Sequence, residues 1–361
     1  MPFDIFNATW IVIVLLSVLV VVHEFGHFIT ARFFGVKVHE FSVGFGPLIG
    51  KFVRNGIQYS FRWILLGGFV KIAGMDIALE GEAGEEPIRP EESFQHQELW
   101  KRICIIAAGP IFNLLLAMVL IFVTAAFIGL PSKVENYSAV VEQALPGTPA
   151  FDAGIKPGDR LIAINREPIN DWRDISKLVQ KYGPKPLEVR IERQAQIITK
   201  TLTPIRVNDV YMIGINAVPV YQRTSVGEAL KMAVVHPWLY MEGYIKYFGM
   251  MFKGKVQGKF MGPIGMVAVV EQMTKVHPYN IFSFAIQICL FLFLFNMLPL
   301  PLPLLDGGWI VIMLLERLFR KEFSVEQKAV AQMVGLVAVI VLGIWIAYGD
   351  VITNFRRFFG G

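Results

Sequence analysis

Apolar residues in this chain collect into four runs, from Ala8 to Phe34, Ile103 to Leu130, Ile281 to Leu305 and Ala329 to Tyr348. Each reaches the roughly 20 residues that a helix needs to cross a hydrocarbon core. The second and fourth contain no Asp, Glu, Lys or Arg, whereas the first and third carry polar residues toward one end. Between the second and third runs the chain turns polar, and its short periods predict a small β-rich domain over 133–220. A strand in YSAVVEQ is followed by a short helix around Thr148 to Ala153, a turn over Gly154 to Asp159 and a strand in DRLIAIN. Asp171 caps a helix in which Ile175, Leu178 and Val179 fall on one face, and PLEVRIER and IITKTLTPI alternate as strands. From Thr224 to Val256 an amphipathic helix is expected, with Met232, Val235, Leu239, Tyr240 and Tyr244 on its apolar side. The fold class is therefore a polytopic α-helical membrane protein of about four transmembrane helices carrying an inserted β-rich α/β domain.

Basic residues near the run ends orient the spans. Arg32, Lys37, Lys101 and Arg102, then Arg317, Arg320, Lys321 and Lys328, place the 35–100 and 317–328 connections in the cytoplasm and the β-rich domain outside it. Arg356 and Arg357 in the tail run against this trend. The chain opens without a basic segment or a small-residue cleavage site, so its first run is expected to be kept as a span. Composition agrees with a membrane protein: 54% of the 361 residues are hydrophobic, 17% are charged and the mean hydropathy is +0.52. The net charge of +5 is scattered, with no basic, aromatic-interleaved patch, so no nucleic-acid partner is expected. Cys104 and Cys289 lie in apolar runs and form no CxxC pair, which leaves no thiolate metal site.

Candidate chemistry enters in VVHEFGH. Four residues of helix separate His23 from His27 by about 40° around the axis, so both imidazoles address one spot, with Glu24 beside them. This is the metallopeptidase arrangement of two zinc ligands and a general base. A hydrogen-bonded cluster without metal is the plainer reading, and the cost of ionisable groups in a span weighs against it. A third ligand has to be polar, in another apolar run and at the same depth. Asp306, 279 residues after His27 in NMLPLPLPLLDGGW, meets these conditions, and Pro299, Pro301 and Pro303 are expected to break the helix of the third span just before it. It could instead cap the helix GGWIVIMLLERLF. His39, His96, His236 and His277 lack ligand spacing.

Taken together, HEFGH, SVGFGP, LGGFVKIAGM, AAGPIFN, GPIGM and NMLPLPLPLLDGG resemble the site-2 proteases, in particular the bacterial branch that cleaves anti-sigma factors. AGIKPGDRLIAINREPI resembles a PDZ domain of the permuted bacterial kind, present once. The ten-residue step from Asn296 to Asp306 is longer than the family's usual one, and Trp309 stands where His is common. The resemblance implies Zn2+ on His23, His27 and Asp306, with Glu24 as catalytic base. It implies a membrane-embedded β-hairpin around Gly44, Gly46, Gly67 and Gly68 that offers an edge to substrate, although an ordinary turn has the same glycine pattern. Asn113, a buried amide in the second span, is a candidate to steady substrate or to tie helices together, and Asn296 and Pro299 resemble substrate-handling positions.

The expected partners are membrane lipid and single-span membrane proteins, either anti-sigma factors or signal-peptide remnants. The expected location is the bacterial inner membrane, multi-pass, with the PDZ domain outside as a gate and the active site near the cytoplasmic face. An inactive scaffold or a zinc-dependent transporter shares some of these features. A scaffold has no need of Glu24, and a transporter wants a polar path that the second and fourth runs do not offer.

Overall fold

The computed structural model describes residues 2–75, 89–132, 137–145, 147–207, 210–254, 262–273, 277–300 and 305–359. The first apolar run is one helix, α1 (Pro2–Phe33). It stops at Gly35, which takes φ +77° and lets Val36 N–H bond back to the Ala31 carbonyl at 2.9 Å. Two long antiparallel strands follow, β1 (Val38–Arg54) and β2 (Ile57–Ile72). Asn55 and Gly56, at φ 53° and 76°, make the two-residue turn between them. The Asn-Gly pair is the sequence signal for this hairpin, more direct than the glycines at its far end. Gly44, Gly46, Gly67 and Gly68 lie where the register slips, from Val43 opposite Gly68 to Phe45 opposite Ile64. A Cβ on Gly44 would stand 2.8 Å from the Arg62 carbonyl oxygen, so the two backbones meet there because glycine permits it. The hairpin exposes Ile49, Phe52, Val53, Trp63, Ile64 and Leu66, a surface suited to lipid, and Ser17 of α1 donates a hydrogen bond to the Leu65 carbonyl. The second span begins as α2 (Leu99–Val123) and closes in a π turn, Thr124–Ile128.

Ala125–Ser225 forms a separate compact unit that contains the expected 133–220 domain. In chain order it holds β3 (Leu130–Pro131), β4 (Val141–Ala144), α3 (Pro149–Asp152), β5 (Arg160–Ile164), β6 (Glu167–Pro168) and α4 (Trp172–Tyr182). After these come β7 (Leu187–Arg193), β8 (Gln196–Leu202), β9 (Ile205–Val207), β10 (Val210–Met212), β11 (Ile215–Ala217) and β12 (Tyr221–Gln222). The main sheet is antiparallel in the order β6-β5-β7-β8, and β4 pairs with β11. Asp171 caps α4 in a reciprocal capping box with Asp174, and Ile175, Leu178 and Val179 enter the core beside Leu161, Ile164, Val189 and Ile191.

One buried ion pair locks this unit. Asp159, its side chain 1% exposed, accepts from Arg193 Nε and Nη2 at 2.7 Å each and from the Lys156 N–H at 2.7 Å. Burial alone would raise the Asp159 pKa, but Arg193 and the Lys156 amide outweigh it and hold the carboxyl below its ordinary range. A depressed folded pKa gives stability that is complete above the unfolded value, about 3.9, and lost as pH falls through the folded one. Asp159→Asn is expected to cost about 3 kcal/mol at neutral pH and to remove that acid limb. Hydrogen exchange at β5 and β7 in the full chain reads both effects, and an unchanged acid limb in the variant would refute the assignment.

The other unit resumes with α5 (Val226–Phe252), α6 (Pro263–Met273), α7 (Pro278–Asn296), α8 (Asp306–Phe319) and α9 (Val325–Phe359). Among the described residues, four helices are long and apolar enough to cross a membrane: Phe6–Phe33, Leu99–Ile128, Pro278–Asn296 and Glu326–Gly349. Two expectations need adjusting. The third span is a broken helix, but its first part stops earlier than Leu305: α7 ends at Asn296 and a new helix starts at Asp306. Its prolines account for the break at Pro299, while Pro301 and Pro303 lie outside the described residues. On α5, Met232, Tyr240 and Tyr244 pack inward around buried Ala233, but Val235 and Leu239 point outward. In a helix that meets lipid, apolar character no longer marks the inner face.

Candidate metal centre

Small residues bring α1 and α2 close enough to build a site between them. A Cβ on Gly26 would collide with the Ala108 carbonyl and come within 3.1 Å of Gly109 Cα, so this contact depends on glycine. The close approach carries the Ile105 carbonyl of α2 to 2.9 Å from His27 Nδ1. A carbonyl only accepts, so His27 holds its proton on Nδ1 and its Nε2 is a bare lone pair.

His23 is arranged the same way once one amide is read correctly. Asn113, 1% exposed, has Nδ2 3.2 Å from His23 Nδ1, while its Oδ1 is buried without a partner. The two ends of an amide are assigned from the network, and a half-turn lets Oδ1 accept from His23 Nδ1–H, with Nδ2 then at the position that lacks a partner. His23 Nε2 is thereby also a lone pair.

Asp306 completes the set from the first position of α8. A Cβ on Gly307 would come within 2.9 Å of the Met297 carbonyl oxygen, so the chain after α7 folds directly onto the start of α8. The Asp306 carboxylate reaches His23 Nε2 at 3.1 Å and His27 Nε2 at 3.5 Å, and the two Nε2 atoms are 3.2 Å apart. All three ligand atoms lie within 4.8 Å of one another. Two imidazole nitrogens and a carboxylate converge on one point, a donor set that fits a divalent cation. Gly109 leaves the room: a Cβ there would stand 2.8 Å from His23 Nε2 and closer still to His27 Nε2.

Glu24, Asn296, Val70, Met75 and Trp309 join the three ligands around a cavity of about 210 Å3. The Glu24 carboxylate is hydrogen bonded to the backbone of Val70 on β2, so the hairpin passes beside it. The glycines Gly44, Gly46, Gly67 and Gly68 shape the hairpin and do not line this cavity, and neither does Pro299. Asn113 serves His23 from behind. Sequence reasoning passed over Gly109, the Ile105 carbonyl and Met75, and it gave Val70 and Trp309 no place on the cavity wall. The AAGP stretch held the signal for Gly109, while a backbone carbonyl has none.

Comparison with known proteins decides the class: residues 11–342 match peptidase family M50. The chain belongs to peptidase family M50. Similar proteins cover nearly its whole length. One of Rhizobium meliloti is 31% identical over 93% of this chain and 94% of its own, and one of Fusobacterium nucleatum is 31% identical over 85% and 87%. Both carry names that describe zinc metalloproteases. Metalloprotease MmpA of Caulobacter vibrioides is 28% identical over 93% of each chain. This M50 chain is a zinc metalloprotease of the site-2 type, and a membrane protein. The scaffold and transporter readings find no support among these M50 relatives.

Proposed function

We propose that this M50 peptidase cuts a peptide bond in or beside the transmembrane segment of a single-span protein, with zinc held by His23, His27 and Asp306 and with Glu24 as base. The observation that carries the reading is the meeting of His23, His27 and Asp306, with ligand atoms within 4.8 Å of one another, in the cavity that also holds Glu24. Bound zinc supplies a Lewis acid that polarises the scissile carbonyl and acidifies a water. Glu24 takes the proton of the attacking water on a carboxylate oxygen and delivers it to the leaving amine nitrogen. Asn113 and the Ile105 carbonyl hold the two imidazoles in the tautomer and orientation that keep Nε2 available. Asn296, on the cavity wall, is placed to donate to a substrate carbonyl.

A transmembrane helix hides its amides, so the substrate has to be drawn out before it is cut. An extended segment added to the hairpin edge would run past Val70 and hence past Glu24, which supports the edge-delivery role of the Gly44, Gly46, Gly67 and Gly68 region. The substrates in this reading are anti-sigma factors or signal-peptide remnants in a bacterial inner membrane. The Ala125–Ser225 unit acts as an extracytoplasmic PDZ gate, and the active site lies toward the cytoplasm. The bacterial relatives and the basic residues at 32–37, 101–102 and 317–328 support that placement.

Asp306→Ala is expected to lower zinc content from one ion per chain to below about a tenth of that and to abolish cleavage of a single-span substrate. Elemental analysis and a gel-based assay on purified protein measure both. Retention of stoichiometric zinc by the variant would remove Asp306 from the ligand set.

A further inference from the structure

Among the described residues two buried side-chain atoms lack a hydrogen-bond partner. One belongs to Asn113, the residue that touches His23. The other is Nε of Arg102, in the first turn of α2 at the head of a candidate span. The Arg102 guanidinium lies 5.2 Å from the centre of the Phe94 ring and forms no ion pair among the described residues.

A cavity of about 840 Å3 opens beside it, walled by Arg317, Arg320 and Lys321 from the end of α8, with Glu316 and Glu322. Glu316 is already engaged: it accepts from Lys328 at 2.8 Å and from the Phe323 N–H at 3.0 Å. Glu316 and Glu322 both act on Arg102, and with Lys328 counted the five cations outnumber these two carboxylates. Arg320, at φ 50°, ends α8 in the left-handed conformation and returns the basic segment toward α2. Leu318, which lines the cavity, is 72% exposed, apolar surface that an acyl chain would cover.

We propose that this cavity binds a phosphate group, presented by the headgroup of an anionic phospholipid. Guanidinium forks suit phosphate oxygens, the buried Arg102 N–H calls for an ionised acceptor, and the site stands at the ends of two membrane-associated helices, where headgroups lie. It is separate from the zinc centre and shares no lining residue with it.

The test uses full-length protein in detergent, titrated with phosphatidylglycerol, phosphatidylcholine or inorganic phosphate, with lipid retention read by native mass spectrometry and stability by thermal melting. Wild type is expected to prefer phosphatidylglycerol over phosphatidylcholine by about tenfold, and Arg102→Gln to lose about fivefold or more in affinity. Because Arg102 is partly buried, the double variant Arg320→Gln with Lys321→Gln, at exposed positions, is measured alongside. It should lose affinity without a change in lipid-free melting, while Lys51→Gln on the hairpin should not lose affinity. Protection by phosphatidylglycerol alone identifies the lipid as the source. Equal protection by inorganic phosphate, lost in the same variants, supports the phosphate site with a soluble source. Equal retention of both lipids, or variants that bind like wild type, would overturn the proposal.

Discussion

Glu24→Gln is expected to leave one zinc per chain in place and to slow cleavage by roughly a hundred- to ten-thousand-fold, the range that a positioned general base contributes. The two effects separate because Glu24 lines the cavity without belonging to the ligand set. Glutamine keeps the size and can still accept from the Val70 backbone, so the hairpin and the cavity walls should hold their places. What it cannot do is take a proton. Single-turnover cleavage of a single-span substrate, with zinc measured on the same preparation, reads both quantities. A variant that cuts at the wild-type rate would move the base to another residue and undo the assignment of HEFGH.

Gly109→Val is expected to empty the centre as thoroughly as loss of a ligand, although Gly109 binds nothing. Its added carbon would fall 2.8 Å from His23 Nε2 and nearer to His27 Nε2, in the space that the two lone pairs address. Relief would require α1 and α2 to separate, and the Gly26 contact and the His27 hydrogen bond to Ile105 oppose that. Zinc content below about a tenth of wild type is expected, with a melting curve that overlays chelator-treated wild type. Gly343→Ala on α9 is the matched control, since a Cβ there meets no atom within 4 Å and helix propensity favours it slightly. Full zinc occupancy in Gly109→Val would show that the metal sits away from the point where the Nε2 atoms converge.

The parts of this molecule that could be read from sequence are those whose signal is local. The spacing of His23 and His27 on a helix, the apolar length of the four spans and the Asp171 cap of α4 each follow from a few neighbouring residues. Asp306 was reachable from farther away because burying a carboxylate in an apolar run demands a partner, and few were available. Other features depend on contacts between distant segments. No pattern in the second span announces that the Ile105 carbonyl orients His27, or that Asn113 turns its oxygen to His23. The split between α7 and α8 is legible in the prolines, but the end of α7 is read too late because hydropathy continues past Asn296. Trp309 follows the DGG motif directly, yet only the fold shows that it reaches the cavity wall.

Asp306 lies 279 residues after His27, a separation that also sets an order in time. During synthesis α1 is made with His23, Glu24 and His27 already in place, yet the proposed ligand set still lacks Asp306. Every other candidate span but α9 precedes the arrival of α8. In the proposed reading the metal centre therefore stays incomplete until nearly all of these residues have been made.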